Sequence, residues 1–117
     1  MSRSTEFVRF VLELLAPVGD VRARAMFDGF GIYQGMTVFA IIVDDRLYFK
    51  TDDATRRKFS KLGLGPLTYA ARGRTVTLQY HEAPPDVFES SEAMRSYALE
   101  AIGVARRATK RRRRSVA

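Results

Sequence analysis

Cysteine is absent from the 117 residues, and histidine occurs once, at His81. Without cysteine there are no disulfides, thiolate metal sites or cysteine nucleophiles, and the chain suits a reducing compartment. A lone histidine beside Glu82 at the end of a strand reads as a surface or turn residue, not as a catalyst or ligand. No HExxH, GxSxG or Walker loop occurs. Long apolar runs are missing too. The strongest, residues 38–43, is far too short to span a bilayer. The N-terminal segment is interrupted by Glu6, Arg9 and Glu13, where a signal peptide needs an unbroken apolar stretch. These absences point to a soluble cytoplasmic protein with no membrane role, no metal, no cofactor and no catalytic residues.

Hydrophobic residues make up 46% of the chain, enough for one domain to build a core without metal or disulfide staples. The net charge of +7 is unevenly placed. Residues 106–117 hold Arg106, Arg107, Lys110, Arg111, Arg112, Arg113 and Arg114 and no acid. The other 13 basic residues are matched by 13 acidic ones, all of them in residues 1–105. Any electrostatic footprint therefore belongs to the tail, and the body carries no net field. Seven cations in so short a run attract phosphates by counterion release, so these seven residues are the candidate nucleic-acid site. Such a run either continues the last helix or repels itself into an extended, disordered tail. The domain is placed at residues 1–105 and the basic tail at 106–117.

The patterning reads as helix, strands, helix, two strands, helix. Residues 5–16 have helical spacing, with Phe7, Val11 and Leu14 on one face and Val8, Leu12 and Leu15 beside them, Ser4 or Thr5 at the cap, and Pro17 and Gly19 at the stop. Strand-like alternation follows from Val21. Residues 37–43 read as a central strand buried on both faces, and Asp44-Asp45 as a hairpin turn. A second helix is capped by Asp52 or Asp53 and held by Phe59 and Leu62. A hairpin about Arg72-Gly73-Arg74 comes next, and Pro84-Pro85 breaks the sheet. The last helix starts near Ser90 or Ser91 and shows Met94, Ala98, Ala101, Ile102 and Ala105 on its apolar face. Short links imply antiparallel pairing, hence an α+β fold with helices flanking an antiparallel sheet.

Candidate chemistry in the body is sparse. The Asp44-Asp45 and Asp52-Asp53 pairs fit a turn and a cap better than a cation site, which needs further oxygen ligands. The glycine pair Gly29 and Gly31 fits a bulge or sharp turn. Phe30, Tyr33, Phe39, Tyr48 and Phe49 could stack on bases, but core packing is the better reading because the body is neutral. An enzyme would have to draw on Tyr33, Tyr48, Lys50 or Arg72, the weakest of the options.

Met26, Phe27, Gly29, Phe30, Gly31, Ile32 and Tyr33, then Phe39-Ala40, then Leu47, Tyr48, Lys50 and Asp52, form a spaced pattern. Pro66, Tyr69, Gly73, Tyr80 and Pro84 extend it. This pattern resembles the N-terminal domain of the TfoX/Sxy family across nearly all of residues 7–105. Asp28 replaces the usual first glycine of the family's pair, and Tyr97 stands where tryptophan is frequent. The resemblance implies a secretion-chaperone-like α+β fold, no catalysis, and a role in competence and transcription regulation through DNA or protein contact. A transcription-regulator protein is then the expected partner, and homodimerisation is the alternative to a direct DNA role. Regulators of this family carry a second, helical domain, whereas the arginine run stands here.

Overall fold

A computed structural model describes residues 5–26 and 28–116, with side chains as far as residue 112. Three helices, α1 (Thr5–Leu15), α2 (Arg56–Lys61) and α3 (Ser91–Val116), accompany six strands. The strands are β1 (Val21–Met26), β2 (Gly29–Gln34), β3 (Thr37–Val43), β4 (Arg46–Lys50), β5 (Pro66–Ala71) and β6 (Arg74–Glu82). They form one antiparallel sheet in the order β1-β2-β3-β4-β6-β5, so the architecture is α+β with flanking helices. The first four strands are a meander. The β5–β6 hairpin then returns with β6, not β5, beside β4.

The turns follow from local chemistry. Asp44 and Asp45 both have positive φ, 52° and 58°, the mirror-image turn that matches strand twist in a two-residue hairpin. Arg72 and Gly73 repeat it at φ 52° and 78°. Gly29 and Gly31 do not make a turn; they lie within β2. A Cβ on Gly29 would stand 1.9 Å from the carbonyl oxygen of Ile42, so the glycine is required by close approach of backbones, not by left-handed geometry.

The core lies between the sheet and the helices. From α1 come Val8, Val11 and Leu15, so the most buried stripe takes Val8 and Leu15 from beside the Phe7–Val11–Leu14 face, whose Phe7 and Leu14 are partly buried. Phe7 instead meets Phe88 at 5.8 Å between ring centroids, at the margin of the core. Ser4 lies outside the described residues, and Thr5 is the first residue of the helix. From α3 come Met94, Ala98, Ala101, Ile102 and Ala105, the face that the spacing predicts, and small residues there let the helix lie close on β3 and β4. Ser90 Oγ accepts from the Ala93 N–H at 3.1 Å and caps this helix.

Phe39 and Ala40, neighbours in β3, are both fully buried in this one core. The register explains it. Ile32 pairs with Ala40 and Tyr33 with Val38, leaving Phe39 as an extra, bulged residue. The bulge turns both side chains to the helices. On the other face of the sheet Ile41, Leu67 and Tyr80 form a second, smaller cluster, joined by Val43, Tyr48 and Leu78. All six are strand residues, so among the described residues no helix covers this face.

Candidate nucleic-acid interface

The helix α3 runs on from its buried face through the basic segment, so Arg106 to Arg112 lie on its last described turns. The start of that segment is fastened to the body. Arg106 donates to the Gln34 side-chain oxygen at the end of β2, and Arg107 donates to Asp52 Oδ2 at 3.5 Å. Lys110 and Arg112 are exposed, as is Arg111, which has interactions of its own. The side chains of Arg113 and Arg114 lie outside the described residues. The tail charge thus begins at the end of the sheet where β2 and β4 finish. There Arg112, second to burial, pushes the Lys50 amine below the usual lysine range.

Asp52 organises this junction. Its Oδ1 accepts from the Thr55 N–H at 2.9 Å, while Thr55 Oγ1 accepts from the Asp52 N–H at 3.0 Å. The reciprocal pair has the form of a capping box and closes the turn before α2; the N-cap position of α2 itself is Thr55, which makes no side-chain cap hydrogen bond, so Asp52 caps the turn and neither aspartate caps the helix. The Thr55 N–H chiefly, and the Arg107 guanidinium as well, hold the Asp52 carboxyl below its ordinary range. Asp53 pairs instead with Arg56 at 3.5 Å, an exposed contact. Phe59 anchors α2 at 1% exposure, whereas Leu62 is 57% exposed and is not the second anchor that its position predicts. The helix ends at Lys61, and Leu62 is the C-cap residue immediately beyond it.

His81 is not a surface residue. It is buried against the Phe59 ring, 5.8 Å between centroids, and its Nδ1 shares a hydrogen bond with Thr51 Oγ1 at 2.9 Å. Its neighbour in register is Phe49, on the helix side of the sheet. The signal was available in the alternation of β6, which places His81 opposite in face to Tyr80. Burial first, and the Arg56 charge second, lower its pKa from the ordinary histidine value. Folded His81 therefore resists a proton that the unfolded chain takes up. Its contribution to stability is flat above about pH 6.5 and declines as the pH falls through the lowered folded value, by up to about 1.4 kcal/mol per pH unit. Denaturant titrations between pH 5 and 8 should show this decline flattened in His81→Gln; superimposable pH profiles would remove His81 as its source.

The five aromatic residues weighed as a stacking surface divide between the two faces. Phe39 and Phe49 are fully buried and Phe30 packs on the same core, so these three cannot receive a base. Tyr33 and Tyr48 are half-buried on the helix-free face. The groups proposed for catalysis are also divided: Lys50 shares that face, but Arg72 sits in the β5–β6 turn. Among the described residues no group of three or more acidic or histidine side chains could hold a metal, and no described helix is long and apolar enough to cross a membrane.

The model of the TfoX N-terminal domain matches residues 13–105, from within α1 to the last buried turn of α3. The chain belongs to the TfoX N-terminal domain family. It is similar to Protein Sxy of Escherichia coli (strain K12), with 28% identity over 92 residues. The match covers 76% of this chain but 44% of Sxy, so the chain spans less than half the length of that relative. The TfoX N-terminal match stops where the arginine run begins, so the basic turns of α3 lie outside the matched region.

Proposed function

We propose that this chain is a non-enzymatic regulatory module of the TfoX/Sxy type whose basic helical end engages nucleic acid. The supporting observation is the segregation of charge: a neutral domain with seven cations gathered after residue 105. Arg106 and Arg107 are partly committed to Gln34 and Asp52, and the phosphate-binding set is assigned to the densest run of cations, Lys110 to Arg114. The contacts to phosphate are sequence-independent and position the module; they do not read bases. Regulation of competence, with a transcription regulator as protein partner, is the role proposed from the likeness to Sxy.

The test is fluorescence anisotropy with a 20-base-pair duplex over a salt series. The full chain is compared with one carrying Arg111→Gln, Arg112→Gln, Arg113→Gln and Arg114→Gln. Each lost phosphate contact should flatten the slope of log K against log salt by about 0.9. A slope lower by about 3 to 4 is expected for the fourfold variant. Identical slopes and affinities would reject the tail as the binding element.

A further inference from the structure

The sheet register gathers one residue type on the helix-free face. Tyr48 pairs with Ile41 on one side and Glu82 on the other, Lys50 pairs with Tyr80, Arg22 with Tyr33, and Tyr69 with Val76. Directly opposed residues share a face. Four of the five tyrosines, Tyr33, Tyr48, Tyr69 and Tyr80, therefore stand on the side away from the helices; the fifth, Tyr97, is on α3 and packs on the core. The phenylalanines go the other way. Phe39, Phe49 and Phe59 are in the helix-side core, and Phe7, Phe30 and Phe88 pack against it.

Cations are set among those tyrosines. The Arg24 guanidinium lies 5.9 Å from the Tyr33 ring centroid, and the Lys50 amine 5.0 Å from that of Tyr80. Tyr80 itself is 8% exposed and packs with Tyr48, and its hydroxyl is pushed up to about 12 by burial and then by Tyr33. Arg22 and Arg24 alternate outward on the edge strand β1. Glu82, the acidic residue of β6 on this face, is paired with Arg46 at 3.8 Å. The body is neutral as a whole, yet this face sets Arg22, Arg24, Arg46 and Lys50 against Glu82 and the Asp44 charge near Tyr48, so its balance is positive. The Arg112 charge reaches Lys50 from the basic end of α3 and adds to it.

We propose that the helix-free face binds single-stranded nucleic acid, with Arg24 and Lys50 on phosphates and a base stacked on Tyr33 or Tyr48. Stacked bases need aromatic rings beside cations on an open surface, which a neutral, wholly apolar sheet would not supply. A second copy of the chain fits poorly. Its own basic face would be repelled, and the apolar members Ile41, Leu67 and Tyr80 are already covered by their neighbours, leaving little apolar area to bury. A duplex fits poorly too, since its bases are stacked on each other and its grooves take a helix or a narrow ribbon, not a broad sheet. The proposal deepens the nucleic-acid reading of the tail but stands on a separate set of residues.

The test uses the full chain with the four tail substitutions above and Lys110→Gln, which leaves of the tail's cations only Arg106 and Arg107, held by Gln34 and Asp52. A labelled 15-nucleotide oligothymidine and a duplex of the same length are titrated, following anisotropy and the protein's own tyrosine emission. The chain has no tryptophan, so that emission reports the tyrosines directly. Preferential binding of the single strand with quenched tyrosine emission is expected. Arg24→Gln, an exposed edge position, should lower the slope of log K against log salt by about 0.7. Tyr33→Ser should weaken binding about 10-fold, while Tyr33→Phe, which keeps the ring, should retain it. Unfolding of Tyr33→Ser would leave Arg24→Gln and Tyr33→Phe to decide. Equal binding of duplex and single strand, absence of quenching, or full affinity in Arg24→Gln would overturn the proposal. Because the outer cations of the tail are already removed in this background, such a result would leave the tail reading intact.

Discussion

Phe39→Ala should lower the unfolding free energy by about 3–5 kcal/mol, measured by urea or guanidinium denaturation. Phe39 is fully buried, and it reaches the core only because the β3 bulge turns it to the helices beside Ala40. Truncation leaves a cavity beneath α3, bounded by a strand that is paired on both sides and cannot collapse into it. The loss therefore combines the transfer term with most of the cavity term. A change below about 1 kcal/mol would mean that the ring faces solvent and that the bulge is misplaced.

Gly29→Ala should be at least as damaging, about 3 kcal/mol or more, at the upper end of what overpacking costs. The added methyl would meet the Ile42 carbonyl oxygen, a backbone atom in the adjoining central strand, and has no rotamer by which to escape. Relief requires β2 and β3 to separate at their first paired residues, Gly29 and Val43. Gly31→Ala meets the ends of the Met26 and Tyr33 side chains instead, which can move. The expected order in thermal melts is therefore wild type above Gly31→Ala above Gly29→Ala. A Gly29→Ala protein melting at the wild-type temperature would contradict the close approach.

The contrast shows where sequence patterning carries far and where it stops. Strand limits at β3 and β4 and the buried face of α3 were legible because alternation and helical spacing are local properties of the chain. The glycine pair was legible as special but not in its reason, since a contact between Gly29 and Ile42 depends on register across a hairpin. Leu62 and His81 show the same limit in opposite directions. An apolar residue is left out because its helix stops, and a polar one is taken in because its strand sits over Phe59. Charge behaved likewise. Composition gives a neutral body, but only the register separates Arg22, Arg24 and Lys50 from the acids that balance them. The pattern that names the family was readable for a different reason: it combines close-packed glycines, buried aromatics and the Asp52 cap, whose spacings the fold requires together.

The β5–β6 hairpin joins the rest of the sheet through three opposed residue pairs, Tyr48–Glu82, Phe49–His81 and Lys50–Tyr80. The Thr51 N–H donates to the Gln79 carbonyl at 2.9 Å and the Ala83 N–H to the Leu47 carbonyl at 2.8 Å at the two ends of this seam, and from there to the Arg72–Gly73 turn the hairpin strands pair with each other. Such an arm has its own cooperativity: its outer half can open while the four-stranded meander and the two long helices stay folded. The stability of that short seam therefore decides how tightly the hairpin follows the rest of the sheet.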